Sequence, residues 1–99
     1  MNITVTEEAK HYLENKNIES IRVVARDTYE CSTMIEFFLQ EDTLDPEQDE
    51  EVVIGNLSFI YNKKASEEIG PQLTIDYKST QGLKLTNNNQ TLAYGLNLK

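Results

Sequence analysis

The stretch IRVVARDTYECSTMIEFFLQ, residues 21–40, holds two alternating runs on either side of a polar connection. In the first, Ile21, Val23 and Ala25 alternate with Arg22, Val24 and Arg26. In the second, Ile35, Phe37 and Leu39 alternate with Met34, Glu36, Phe38 and Gln40. Successive side chains of a strand point to opposite faces, so a period of two reads as two strands, each with one face turned towards a core. The connection Asp27–Thr33 carries the one cysteine of the chain, Cys31.

Towards the amino terminus the period changes. Ile3-Thr4-Val5 suits a short strand, and Thr6 suits a helix N-cap, with Glu7 and Glu8 where the helix dipole favours negative charge. Ala9, Tyr12 and Leu13 follow at i, i+3, i+4, which predicts a helix over residues 7–16 ending at Asn15 and Asn17. It is expected to be the only substantial helix.

Towards the carboxyl terminus the β character continues. The segment 41–51 holds seven acids (Glu41, Asp42, Asp45, Glu47, Asp49, Glu50, Glu51), Pro46 and no apolar period, and reads as a mobile, solvated loop. Val52–Ile54 and Leu57–Tyr61 flank Gly55-Asn56, a pair suited to a two-residue hairpin turn. Lys63–Ile69 reads as a short helical turn stopped by Gly70-Pro71, and Leu73, Ile75 and Tyr77 alternate in a further strand. Leu83–Leu85 forms another, before the turn signal Asn87-Asn88-Asn89. Residues 91–98 suit a last strand or a loose tail. The fold class is α+β, predominantly β, with one amino-terminal helix, and residues 1–99 are read as a single domain. The expected core is Leu13, Ile21, Val23, Ile35, Phe37, Leu39, Ile54, Phe59, Leu73, Ile75 and Leu83.

Composition bounds the function. Seventeen acids against nine bases give a net charge of −8, which repels phosphate backbones and anionic lipid, so neither nucleic acid nor membrane is an expected partner. Because so many acids fall in one segment, Arg22, Arg26, Lys63 and Lys64 are left to form a local positive patch. A single cysteine excludes an intramolecular disulfide, and no signal-like start or run of about 20 apolar residues is found. The expected location is the cytoplasm.

Chemistry-bearing candidates are few. Cys31 has polar neighbours, and an accessible thiolate ligates soft metals or reacts; the bland alternative is an inert residue at a strand end. His11 reads as a solvated helix histidine, and no local signature makes it a base for Cys31. Asp45, Glu47 and Asp49 have the spacing that opens a calcium-binding EF-hand. The sixth and twelfth positions, however, are Glu50 and Asn56 where Gly and a bidentate Glu belong, which rules that motif out. No phosphate-cradling glycine loop, nucleophile elbow or zinc-protease motif is present.

Several segments in order resemble the HesB-like, A-type iron–sulfur cluster assembly domain. Ile3–Ala9 is similar to that family's entry strand and helix cap. Cys31-Ser32-Thr33-Met34 resembles its Cys-Ser-Gly-Met, with Thr33 in place of glycine. Ile75-Asp76-Tyr77 resembles its Ile-Asp-Tyr, and Leu83–Asn89 its Phe-Lys-Phe-x-Asn-Pro-Asn. The family's closing Cys-Gly-Cys-Gly is absent: Tyr94 and Leu96 stand at the two cysteine positions, with Gly95 between them. Leucine cannot ligate iron, and a tyrosine phenolate is a hard donor where the family has a soft thiolate.

The resemblance implies a compact mixed β sandwich or barrel behind one helix, assembly as a homo-oligomer, and protein partners in iron–sulfur assembly. It implies a divergent carrier, scaffold or accessory protein rather than an enzyme. Cys31 is then the one residue carried over as an iron or cluster ligand, and any iron or [2Fe–2S] cluster is held weakly. A [2Fe–2S] cluster takes four ligands and one chain offers one thiolate. Two Cys31 residues across a dimer supply two, leaving the rest to glutathione, a partner protein or an oxygen ligand such as Tyr94. The alternative of a different class is a metal-free interaction module that retains the fold.

Overall fold

The computed structural model describes residues 1–28 and 34–99; Tyr29–Thr33, and with them Cys31, lie outside the described residues. In chain order the elements are β1 (Asn2–Val5), α1 (Glu7–Glu14), β2 (Ser20–Thr28), β3 (Met34–Glu41), β4 (Glu50–Ile54), β5 (Leu57–Tyr61), α2 (Lys63–Ile69), β6 (Gln72–Lys78), β7 (Gly82–Thr86) and β8 (Thr91–Leu96). They form two four-stranded mixed sheets, ordered β1-β6-β7-β8 and β3-β2-β5-β4. Each sheet has one parallel pair, β1 with β6 and β2 with β5. The α+β, mainly β class read from the sequence is the class observed.

The two alternating runs pair with each other, antiparallel and in unbroken register from Ile21 opposite Glu41 to Thr28 opposite Met34. Ile21, Val23, Phe37 and Leu39 enter the buried layer together with Phe59, Leu73, Ile75, Leu83 and Leu85. Helix α1 adds Ala9 and Leu13, both fully buried, and α2 adds Ala65 and Ile69. Two expected core residues, Ile35 and Ile54, are only partly buried because each sits near a strand end, where the facing layer runs out. Phe38 and Ile60 are buried although they point away from the central cluster. The Phe38 ring lies under the cations of Arg26 (5.2 Å) and Lys99 (4.2 Å), so its outward face is covered by charged side chains.

Local chemistry sets the ends of the elements. The Ala9 N–H donates to Thr6 Oγ1 at 3.3 Å, the N-cap bond expected of that threonine. Helix α1 stops at Glu14, two residues earlier than the reading, and the chain turns through Asn17 at φ 56°. Helix α2 spans seven residues, with Asn62 Oδ1 accepting from the Ala65 N–H at 3.0 Å. Gly55 at φ 60° closes the β4–β5 hairpin, with Ile54 opposite Leu57. The carboxyl-terminal residues are not a loose tail: β8 ends at Leu96, and Lys99 then bonds through its backbone to Leu39 and Glu41 on β3.

The acidic segment is more ordered than its composition implies. The Arg22 guanidinium grips Asp49 through two bonds of 2.6 Å and Asp42 through one of 2.7 Å, and donates to the Thr43 carbonyl. The Asp49 carboxylate is 1% exposed and also accepts from the Asp45 N–H at 2.8 Å. A planar guanidinium binding a carboxylate through two parallel bonds is the strong form of ion pair, and here it fastens the loop at both ends. The expected positive patch dissolves for the same reason. Arg22 is spent on the loop, Arg26 on Glu36, Lys64 on Asp27 and Glu68, and Lys63 on Glu67.

Phe59→Ala is expected to cost about 3–5 kcal/mol in urea denaturation, since the ring is fully enclosed. Arg22 holds the carboxyls of Asp49 and Asp42 below the ordinary aspartate range, chiefly by hydrogen bonding. A carboxyl lowered in the folded state contributes stability that is complete above the unfolded value of about 3.9 and lost as pH falls through the folded one. Arg22→Ala is therefore expected to cost about 2–3 kcal/mol near pH 7 and much less near pH 2, read from urea midpoints at both pH values.

Candidate functional site

The motif Ile75-Asp76-Tyr77 fixes the first sheet to the helix, one residue at a time. Ile75 is fully buried between the layers. Thr6 Oγ1 donates to Asp76 Oδ1 at 2.7 Å, and the same oxygen accepts from the Tyr77 N–H at 2.8 Å. These bonds, the Thr6 hydroxyl's first, hold the Asp76 carboxyl below its usual range. Tyr77 stacks on Tyr12 of α1 with ring centroids 4.0 Å apart and planes 16° from parallel. A second motif residue, Asn87, closes the turn into β8. Its Oδ1 accepts from the Asn89 and Gln90 N–H groups, and its Nδ2 donates to the Ile69 carbonyl of α2 at 2.8 Å.

Strand β8 leaves that turn and does not run regularly. Leu83 faces Leu96 and Leu85 faces Ala93, so Tyr94 and Gly95 together oppose the single residue Lys84. This is a β-bulge, and Gly95 at φ 66° takes the left-handed conformation such a bulge places on glycine. The bulge separates the two neighbours of Gly95. Tyr94 is 78% exposed, whereas Leu96 is partly buried and packs against the core. At the facing end, Gly82 (φ 78°) approaches the Leu96 carbonyl so closely that a Cβ there would lie 2.9 Å from the oxygen.

Two hollows meet at Tyr94. One is a groove between the edge strands of the two sheets, lined by Ile35, Glu36 and Phe37 on β3 and by residues 91–94 and Leu96 on β8. The other is an open cleft of about 620 Å³ on the first sheet, where Lys78, Gln81, Lys84 and Thr91 line the wall beside Tyr94. The exposed Met34 stands at the start of β3, paired with Thr28, whose hydroxyl donates to the Met34 carbonyl at 3.1 Å. Cys31, expected as a ligand, falls in the segment between Thr28 and Met34 that is not described. The fold thus brings Tyr94 and Leu96 against Ile35–Phe37, the part of β3 that follows Cys31 closely in sequence.

The donor set around Tyr94 is poor for soft metals. Among the described residues, no group of three or more His, Cys, Asp or Glu side chains is placed to hold a metal ion. His11 lines an adjoining hollow with Glu8, Tyr12 and Thr80, which shares Asp76, Tyr77 and Lys78 with the cleft but is not lined by Tyr94. The Lys78–Lys84 cleft was not anticipated from sequence. Parity in β6 and β7 puts both lysines on the outer face, but only the register, Asp76 opposite Lys84 and Lys78 opposite Gly82, makes them diagonal neighbours.

The iron-sulphur cluster biosynthesis family model matches residues 1–99. The chain belongs to this family. Solved structures carry the same fold. A protein from Lactobacillus acidophilus, ascribed to Fe–S biosynthesis, aligns at TM-score 0.73 and 21% identity, over 99% of this chain and 88% of that one. Escherichia coli SufA, involved in biosynthesis of iron–sulfur clusters, aligns at 0.74 and 13%, over 96% and 93%. IscA solved with a [2Fe–2S] cluster aligns at 0.60 and 15%, over 88% and 86%. No curated protein matches. The resemblance expected from the motifs is thereby established for the family and for the A-type fold. None of the described helices is long and apolar enough to cross a membrane.

The bulge makes a graded prediction. Gly95→Ala places a side chain at positive φ with no more than ordinary contact, 3.9 Å to the Gln81 carbonyl oxygen, at a cost of about 1–2 kcal/mol. Gly82→Ala adds a backbone clash to the same conformational strain and is expected to lower the urea midpoint further than Gly95→Ala does.

Proposed function

We propose that this member of the iron–sulphur cluster biosynthesis family is a divergent A-type assembly protein in which Cys31 is the thiolate ligand for transferred iron or a [2Fe–2S] cluster. The metal or cluster is cargo, not a resident cofactor. The observation that carries the reading is the position of Tyr94-Gly95-Leu96. Tyr94 and Leu96, which the resemblance equates with the family's cysteines, lie on a bulged edge strand in one groove with Ile35–Phe37, which supports a site shared with the strand that Cys31 precedes.

Chemistry sets the strength. Tyr94 offers only a phenol oxygen, and Leu96 offers nothing and is packed inward, so one chain supplies a single soft ligand. Sharing between two copies of the chain raises that to two, which fits a labile cluster of at most about one per dimer. Residues 1–99 act as one unit in this reading, as a homo-oligomer in the cytoplasm with protein partners of iron–sulfur assembly and without enzymatic turnover.

One observation favours a second reading, a metal-free interaction module. Leu96 is part of the apolar packing, so the position has been given over to stability rather than left as an open ligand site.

Anaerobic reconstitution with iron and sulfide, followed by visible absorption and iron analysis, separates the two. Wild type is expected to hold iron that Cys31→Ala loses, and Tyr94→Cys with Leu96→Cys is expected to hold several-fold more against a chelator. Equal iron in wild type and Cys31→Ala removes the ligand role. Iron in neither, with the double cysteine variant also empty, establishes the interaction module.

A further inference from the structure

We infer that the cleft beside Tyr94 binds a small carboxylate-bearing thiol. The inference rests on the assembly reading for its purpose, but its geometry stands independently. In a chain of net charge −8, Arg22, Arg26, Lys63, Lys64 and Lys99 are all in ion pairs. Lys78 and Lys84 are in none among the described residues, and both line the same cleft. They are diagonal neighbours on the outer face of β6 and β7, with the Tyr94–Gly95 bulge directly opposite Lys84.

The rest of the wall suits an anion with polar ends. Gln81, Thr91 and Tyr94 add hydrogen-bond donors, and Tyr94 also offers an exposed ring. One acid, Asp76, lies in the wall and opposes an anion. Its Oδ1 is engaged by Thr6 and the Tyr77 N–H, and although it stands directly opposite Lys84 and offsets one of the two lysine charges, the cleft keeps one net positive charge. At about 620 Å³ the cleft falls within the size of small-molecule sites, about 300–1,000 Å³.

The chemistry of the chain says why a thiol belongs there. The family positions next to the cleft carry tyrosine and leucine, and Cys31 is the one soft donor in the sequence. A thiol anchored by its carboxylates on Lys78 and Lys84 would share the cleft with Tyr94, which stands where the resemblance expects a protein thiolate. Ligation would then exchange an iron-bound water for the thiolate, with the S–H proton and the water both passing to solvent and no electron transferred.

The probe is S-methylglutathione, which keeps both carboxylates and cannot form a disulfide with Cys31 or ligate as a thiolate. Titrated into the metal-free full chain and followed by amide NMR shifts, it is expected to bind saturably and to move the amides of Gln81, Gly82, Lys84 and Tyr94. Lys78→Ala with Lys84→Ala is expected to weaken binding at least about tenfold, as loss of charge-assisted bonds does. Cys31→Ala is expected to leave it unchanged. Absence of saturable shifts at these amides, or equal binding by the double lysine variant, overturns the site. Because no iron is present, neither result depends on whether Cys31 holds metal. With iron supplied, glutathione is expected to raise the iron retained by wild type and not by the double lysine variant; equal gains in both also overturn it.

Discussion

The layer between the two sheets constrains everything else in this molecule. Each strand must send alternate residues into it, and the room is filled by large apolar side chains, among them Ile21, Leu39, Phe59, Ile75 and Leu83. A slip of one residue would turn an entire strand inside out, so register is fixed wherever both neighbours are buried. The unbroken β2–β3 ladder is the result. Where the layer ends the constraint relaxes, and there the chain departs from regularity: at the β8 bulge and at the crossing of the tail to β3. Tyr94 and Leu96 lie in that relaxed zone. A transfer site needs exposed donors on backbone held from behind, and the rim of a packed layer offers both.

Polar groups are used to attach what the layer cannot hold. Asp76 ties the helix cap to β6, Asn87 ties the last turn to the end of α2, and Arg22 ties the acidic segment to β2. Each is a short polar side chain, or an arginine fork, that meets two or three partners at once, so one residue orders several. This explains the two motifs in physical terms. Ile-Asp-Tyr contributes one apolar contact, one cap and one stacked ring, and the Asn87 side chain adds its bonds to the Asn87–Gln90 backbone bond where β7 gives way to β8.

Tyr94 and Leu96 therefore present different chemistry on the two sides of one bulge. Gly95 still turns the strand, so the outward position carries a phenol and the inward one a packed leucine. Leu96 adds apolar contact on one side, while the neighbouring cleft is lined by lysines and polar donors.

Sequence alone determined the strands, the helix cap and most of the core, because periodicity and capping are local: a residue's parity on its strand follows from its neighbours in the chain. It also determined that Cys31 is the single thiol and that Tyr94 and Leu96 flank Gly95, since these are matters of residue identity and order. The tertiary structure decided what depends on meeting across distance. Arg22 read as a free cation until Asp42 and Asp49, 20 and 27 residues away, closed on it. The acidic segment read as solvated because composition carries no record of that partner. Phe38 has outward parity yet is buried, because Lys99 returns over it from the far end of the chain. Lys78 and Lys84 became neighbours only through the β6–β7 register, and the opposite aims of Tyr94 and Leu96 came from a bulge, since an extra residue in one strand is defined only against the strand it pairs with.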